Sequence, residues 1–222
     1  NPALDSISPN VIANGGVESG LTSWEFYPNA DNASVVGTGD TLLYETSISV
    51  VPDITGADST VYDTTLIAFA ASTGDSALIL TGGGAETENN AFFSYSGTAC
   101  PVAGSQFYAS VEVLTGHPDY TSATDNGAHA VLFAKYFDGS WGMISMDSDS
   151  AAVTSDGGTL GSWDELGIFC TVPAGVAVVQ VGVMYVMPTA ADTGSFYVDN
   201  LTMTPVVGNG VADITAADFT EV

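Results

Sequence analysis

Gln106-Phe107-Tyr108-Ala109-Ser110-Val111-Glu112-Val113-Leu114 decides the fold class. Phe107, Ala109, Val111 and Val113 alternate with Tyr108, Ser110 and Glu112, the two-residue period of a strand with one face buried and one wet. Working outward from it, β-rich runs recur at Ala77–Leu80, Ala91–Tyr95, Ala128–Phe137, Gly142–Met146, Glu165–Val172, Ala177–Val186 and Gly194–Met203. Gly, Asn, Asp and Pro punctuate these runs, as at Asp138-Gly139, and helix signals are nearly absent. Without βαβ spacing, the chain is predicted to be all-β, an antiparallel β-sandwich.

The charge balance narrows function. The chain has 222 residues, 26 of them acidic, and Lys135 is its single Lys or Arg, for a formal net charge of −25. Charged residues make up 12% of the chain, against roughly 25% in typical domains, so the anomaly is missing base rather than surplus acid. Neutralising nucleic-acid phosphates takes several cations, and anionic membranes ask for the same, so both partners are excluded. No Gly-rich loop ends in Lys-Ser or Lys-Thr, which removes the P-loop phosphate enzymes. With 45% hydrophobic residues, the chain can bury a large core and is not disordered. Self-repulsion must then be relieved by salt, which screens over about 8 Å at physiological strength, or by bound divalent cations. Either remedy suits an extracellular setting.

No basic leader with an apolar run is present, nor any apolar run long enough to span a bilayer. This is the expectation for a chain whose signal is removed or that leaves its cell by another route, without membrane insertion. Residues 1–10, with Pro2 and Pro9, read as an extended N-terminal arm, 11–206 as one sandwich domain, and 207–222 as an acidic C-terminal tail. Cys100 and Cys170 each precede a similar Pro-Ala-Gly or Pro-Val-Ala-Gly turn, which would put them at one end of the fold. They allow one disulfide or two buried thiols.

Ordered motifs point to a family. Asn14-Gly15-Gly16-Val17-Glu18, followed by Gly20 and Trp24, resembles the opening of jelly-roll carbohydrate-binding modules of the four/nine/twenty-two superfamily. Pro101–Gly104 with Gln106–Ser110, then Trp163-Asp164-Glu165-Leu166, then Val172–Gly175 with Val178–Val181, resemble its later turns and strands in order. Phe196-Tyr197-Val198-Asp199-Asn200-Leu201 resembles its closing strand, whereas 27–75 departs from the pattern. The resemblance implies a jelly roll and a structural Ca2+ between the first and last strands, with Glu18 and Asp199 among the ligands. The bland alternative is that these two carboxylates satisfy turn amides. A second acidic cluster, Asp147 and Asp149 with Asp156, lacks EF-hand spacing and reads as a solvated loop.

Glycan recognition uses flat aromatic faces with planar polar groups beside them. Trp24 and Trp163 fall at core positions of the family pattern, but Trp141 lies in the turn Asp138-Gly139-Ser140-Trp141-Gly142, where a large aromatic is expected outside. Tyr136, Tyr120 and Gln180 are its candidate companions. Catalysis has no comparable signature: His117 and His129 lack metal-ligand spacing, and no Gly-x-Ser-x-Gly elbow occurs. Two readings follow. One is a non-catalytic subunit displayed on an outer surface, such as a virion decoration, fibre or cell-surface assembly, with homo-oligomeric partners and glycan adhesion. The other is a carbohydrate-binding module of an extracellular glycan-degrading system, with polysaccharide as its partner.

Overall fold

The computed structural model describes residues 10–28, 30–52, 58–82, 87–116, 128–153, 162–187 and 195–206, and of 32, 41–52 and 58–68 the backbone. The strands are β1 (Glu25–Tyr27), β2 (Ala33–Gly37), β3 (Thr41–Pro52), β4 (Asp58–Ala68), β5 (Ser76–Thr81), β6 (Glu88–Ser96), β7 (Gln106–Leu114), β8 (His129–Phe137), β9 (Met143–Ala152), β10 (Asp164–Thr171), β11 (Val178–Val186) and β12 (Ser195–Pro205). One five-stranded sheet runs β1-β6-β11-β8-β9, and a second runs β10-β7-β12-β5-β2. β3 and β4 form a two-stranded ribbon of their own. Every pairing is antiparallel, and the architecture is a jelly-roll β-sandwich.

Strand parity builds the core. On β7, Phe107, Ala109, Val111 and Val113 face the opposite sheet and are buried, as their spacing predicts. Phe93 and Tyr95 of β6, Leu132 and Tyr136 of β8, and Val181 and Tyr185 of β11 meet them from the first sheet. Each large side chain so buried is worth about 1.5–3 kcal/mol, and this inter-sheet layer holds the sandwich together. A second cluster, Val36, Phe69, Ala77, Leu114 and Tyr197, covers part of the second sheet's outer face, where Trp163 packs on Phe69 at 6.2 Å.

The Asn14–Trp24 stretch closes one edge. Asn14 Nδ2 donates to the carbonyls of Gly20 and Thr22, both at 2.9 Å, and its Oδ1 accepts from Ser19 N at 3.0 Å. Trp24 is buried, donates from Nε1 to Asn14 O at 3.0 Å, and lies 4.6 Å from Phe93. Gly15 is required because a β-carbon there would sit 1.8 Å from the Leu201 carbonyl oxygen. The expected tail at 207–222 and residues 1–9 of the expected arm lie outside the described residues. Asn10 is described, and its Oδ1 accepts from Met203 N at 2.8 Å, tying the start of the sandwich to β12.

Candidate functional site

The turn between β8 and β9 holds Trp141 outward. Asp138 organises it: its Oδ1 accepts from Ser140 N at 2.7 Å and from Gly142 N at 2.9 Å. The backbone closes the same turn, with Asp138 N to Gly142 O at 2.9 Å and Trp141 N to Asp138 O at 3.1 Å. The amides of Gly142 and Ser140 hold the Asp138 carboxyl below the usual carboxylate range. A β-carbon at 142 would lie 2.9 Å from Asp138 Oδ2, so glycine suits that position. Trp141 itself takes a φ of 64°, a left-handed conformation that bulky residues rarely adopt. Its side chain is 63% exposed, and its ring lies 5.8 Å from that of Phe137.

Phe137 joins this turn to the outer face of the first sheet. Ser94, Gln180, Lys135 and Met146 stand in one row across β6, β11, β8 and β9, beside the row of Ser96, Val178 and Phe137. Gln180 Nε2 donates to Ser94 Oγ at 3.3 Å. Lys135 lies over the Phe133 ring, 4.3 Å from its centroid, and donates from Nζ to Asn90 Oδ1 at 3.0 Å. Burial pushes its ammonium pKa down, against the opposing pull of Glu88. Phe92 and Phe133 approach each other to 6.5 Å across Gly182 and pack with Val131 and Met184. The face therefore offers an exposed indole, a second ring and a line of planar or hydroxyl-bearing polar groups.

Of the sequence candidates, Trp141 and Gln180 share this side of the molecule. Tyr136 does not, because Lys135 and Phe137 point outward and strand alternation sends the residue between them into the core. It is 1% exposed, and its hydroxyl donates to Asp147 Oδ2 at 2.9 Å. Tyr120 lies outside the described residues, as do His117 and Asp156. Lys135, Phe137 and Ser94 were missed, although the same alternation places them. Asp147 and Asp149 are not a solvated loop: both belong to β9, and Asp149 Oδ2 accepts from Gly167 N of β10 at 3.1 Å.

The cysteines are free thiols, not a disulfide. Cys170 is fully buried on the inward face of β10, and burial is the main cause that pushes its pKa up to about 12. Cys100 follows the 3-10 turn Gly97–Ala99, and its Sγ donates to Pro101 O at 3.7 Å.

Glu18 and Asp199 converge on the turn before β5. Glu18 Oε1 accepts from Asp75 N at 2.9 Å and Ser76 N at 3.1 Å. Asp199 Oδ2 accepts from Thr73 N at 2.7 Å, and its Oδ1 from Asn200 N at 2.6 Å. Gly16 lies between them, its β-carbon position 3.6 Å from Asp199 Oδ1 and 3.9 Å from Glu18 Cγ. Burial pushes the Asp199 carboxyl up, the amides of Thr73 and Asn200 oppose this, and the charge of Glu18 adds to the rise. A buried carboxylate beside a second one is the donor chemistry of a hard cation. Among the described residues no three His, Cys, Asp or Glu side chains gather at one point, so carbonyls and water must complete any shell. The amide bonds alone already account for the pair as turn anchors.

No protein-family model matches the chain, and no curated protein matches it. Solved structures share its fold. The N-terminal CBM22-1–CBM22-2 tandem of Paenibacillus barcinonensis Xyn10C superposes with a TM-score of 0.50 at 14% identity, over 91% of this chain and 47% of that one. A family 16 carbohydrate binding module gives a TM-score of 0.48 at 14% identity, over 87% and 99% of the two chains. The enzymatically active domain of bacteriophage CBA120 tailspike protein 4 gives 0.48 at 11% identity, where the chain covers 89% of itself and 21% of the tailspike domain. The fold is that of the jelly-roll carbohydrate-binding modules.

Proposed function

We propose that this chain is a non-catalytic carbohydrate-binding module that acts outside the cell. The observation that carries the reading is Trp141: an indole 63% exposed, fixed by an Asp138-locked turn in a left-handed conformation, and backed by Phe137. Backbone strain of this kind clusters at ligand-binding sites. The C–H face of a sugar ring stacks on the indole, while Gln180, Ser94 and Lys135 supply hydrogen-bonding groups along the neighbouring row. The near-absence of base favours uncharged polysaccharide over acidic glycans.

The test is calorimetric titration with xylohexaose, cellohexaose and mannohexaose, repeated for Trp141→Ala. At least one neutral oligosaccharide is expected to bind, and the variant to lose about tenfold or more in affinity. Because the side chain is exposed, stability should change by no more than about 0.5 kcal/mol. Equal affinity in the variant, or no binding by the intact chain, would overturn the reading.

A second reading, a surface-displayed subunit of a larger assembly, is favoured by Met143, Ile144 and Met146, which lie exposed beside Trp141 on β9, the outermost strand of its sheet. It predicts concentration-dependent oligomers of the full chain in sedimentation at physiological salt, weakened by Trp141→Ala. A monomer at all concentrations removes it.

A structural calcium ion held by Glu18 and Asp199 belongs to the same proposal. The ion would supply positive charge to two carboxylates that no base neutralises, fixing the Asn14–Trp24 loop against β12.

A further inference from the structure

The outer face of the second sheet carries an aromatic pair that the reading above does not use. Register sets Tyr108 of β7 directly opposite Phe169 of β10. Both point outward, since Phe107, Ala109, Ile168 and Cys170 on either side of them are buried. Phe169 is 56% exposed and Tyr108 38%.

Tyr108 does not stand away from the sheet. Its Oη lies 2.0 Å, and its Cζ 2.9 Å, from the place a β-carbon would take at Gly167, the diagonal neighbour on β10. The side chain therefore lies down along the strands, over a position where only glycine leaves room. Burial, and after it the charge of Glu165 nearby, pushes its hydroxyl pKa up, and Gly167 N is itself held by Asp149 of β9. The ring thus lies against the Gly167 backbone at its far end, with its flank open to solvent. Around it lie the bonded pairs Gln106–Thr171 at 3.3 Å and Ser110–Thr202 at 2.9 Å.

The charge of this face selects its occupant. Glu112 and Glu165 stand in register across β7 and β10, the buried Asp199 continues their row on β12, and Lys135, the single Lys or Arg of the chain, is on the other sheet. Nucleic acid, anionic membrane and acidic glycans are repelled. A protein interface draws its energy from a wide core depleted of charge, whereas here two rings sit among hydroxyls, an amide and carboxylates. An uncharged sugar ring uses all of these: its C–H face meets Tyr108 and Phe169, and its hydroxyls find Gln106, Ser110 and Glu165.

We infer that Tyr108 and Phe169 form a second platform for neutral polysaccharide, on the sheet opposite the one that presents Trp141. The inference rests on the glycan reading of the fold but not on the Trp141 site. Two platforms on opposite sheets make one chain bivalent, so it holds a polymer by avidity and bridges neighbouring strands.

The test titrates the full chain with xylohexaose, cellohexaose and mannohexaose and counts sites. Two sites are expected per chain, one lost in Trp141→Ala, the other lost or weakened about tenfold or more in Phe169→Ser. Gly167→Val keeps both rings but displaces Tyr108, and should give the Phe169→Ser result. Should either variant fail to fold, Tyr108→Phe, which removes only the hydroxyl, must weaken the second site several-fold. One site in the intact chain, unaffected by all three changes and lost in Trp141→Ala, overturns the inference and leaves the Trp141 reading standing. The converse pattern, one site that only the β7–β10 changes abolish, supports the inference and removes that reading. Self-association that Phe169→Ser abolishes, without any effect on glycan binding, marks a protein interface and also overturns it.

Discussion

Asp138 shows how one side chain prepares a site it need not touch. Its carboxylate accepts two amides of the Trp141 turn, and those bonds depress its pKa. A depressed folded-state value means that the stabilisation is present above the ordinary carboxylate pKa of about 4 and is lost as pH falls through the lower folded value. Glycan binding at Trp141 should therefore stay flat from neutral pH down to about 4 and weaken only below it. Asp138→Ala should weaken binding already at neutral pH, and a pH titration of affinity for both proteins checks this. A decline of the intact chain between pH 7 and 5 would mean that another group controls the turn. Trp141 was legible in the sequence because Gly and Asp mark a turn and a large aromatic there has no core to enter. Tyr136 was misplaced although the signal was present: with Lys135 and Phe137 directed outward, the residue between them must enter the core. That parity becomes usable only once the strand's wet face is known.

At the scale of elements, strands with apolar runs were readable and those without were not. β7 falls on the same nine residues in sequence and structure, because its alternation is strict. β9 runs to Ala152 rather than stopping at Met146, since Asp147 and Asp149 find the Tyr136 hydroxyl and Gly167 N and can enter the sheet. Such bonds between distant strands leave no local trace in a sequence. β3 and β4 escaped notice because their Val, Ile and Thr are interleaved with Asp, Glu and Ser and, among the described residues, they pair only with each other. Gly182 leaves no room for a side chain on the first sheet's outer face. A β-carbon there would come 2.2 Å from Ala91 O and 2.5 Å from Phe92 Cβ. Gly182→Val should destabilise the fold by roughly 1–3 kcal/mol, and the overpacking should push Phe92 away from Phe133. Urea unfolding measures the first effect, and an unchanged midpoint would show that β6 and β11 have room to part.

The whole molecule carries net charge −25 with a single Lys or Arg, and that residue, Lys135, is half-buried. No network of ion pairs can offset the repulsion, so ions in the solvent must. At fixed ionic strength, calcium should raise the melting midpoint, a chelator should reverse the rise, and Asp199→Asn should remove it. A midpoint indifferent to calcium, with no metal in elemental analysis, would leave Glu18 and Asp199 as turn anchors only. The resemblance of the opening and closing motifs made this pair legible, whereas the Thr73–Ser76 backbone that both grip was not. All of it but Ser76 lies in the stretch where the family pattern fails.

The central claim is that Trp141 receives a neutral sugar, and the three indole N–H resonances of the isotope-labelled chain report on it directly. Trp24 Nε1 is bonded to Asn14 O in the core, and Trp163 Nε1 to Ala70 O. On addition of the tightest-binding neutral oligosaccharide, the Trp141 resonance should shift progressively to saturation while those of Trp24 and Trp163 stay in place. A Trp141 resonance that never moves, at ligand concentrations that saturate the protein, would contradict the account.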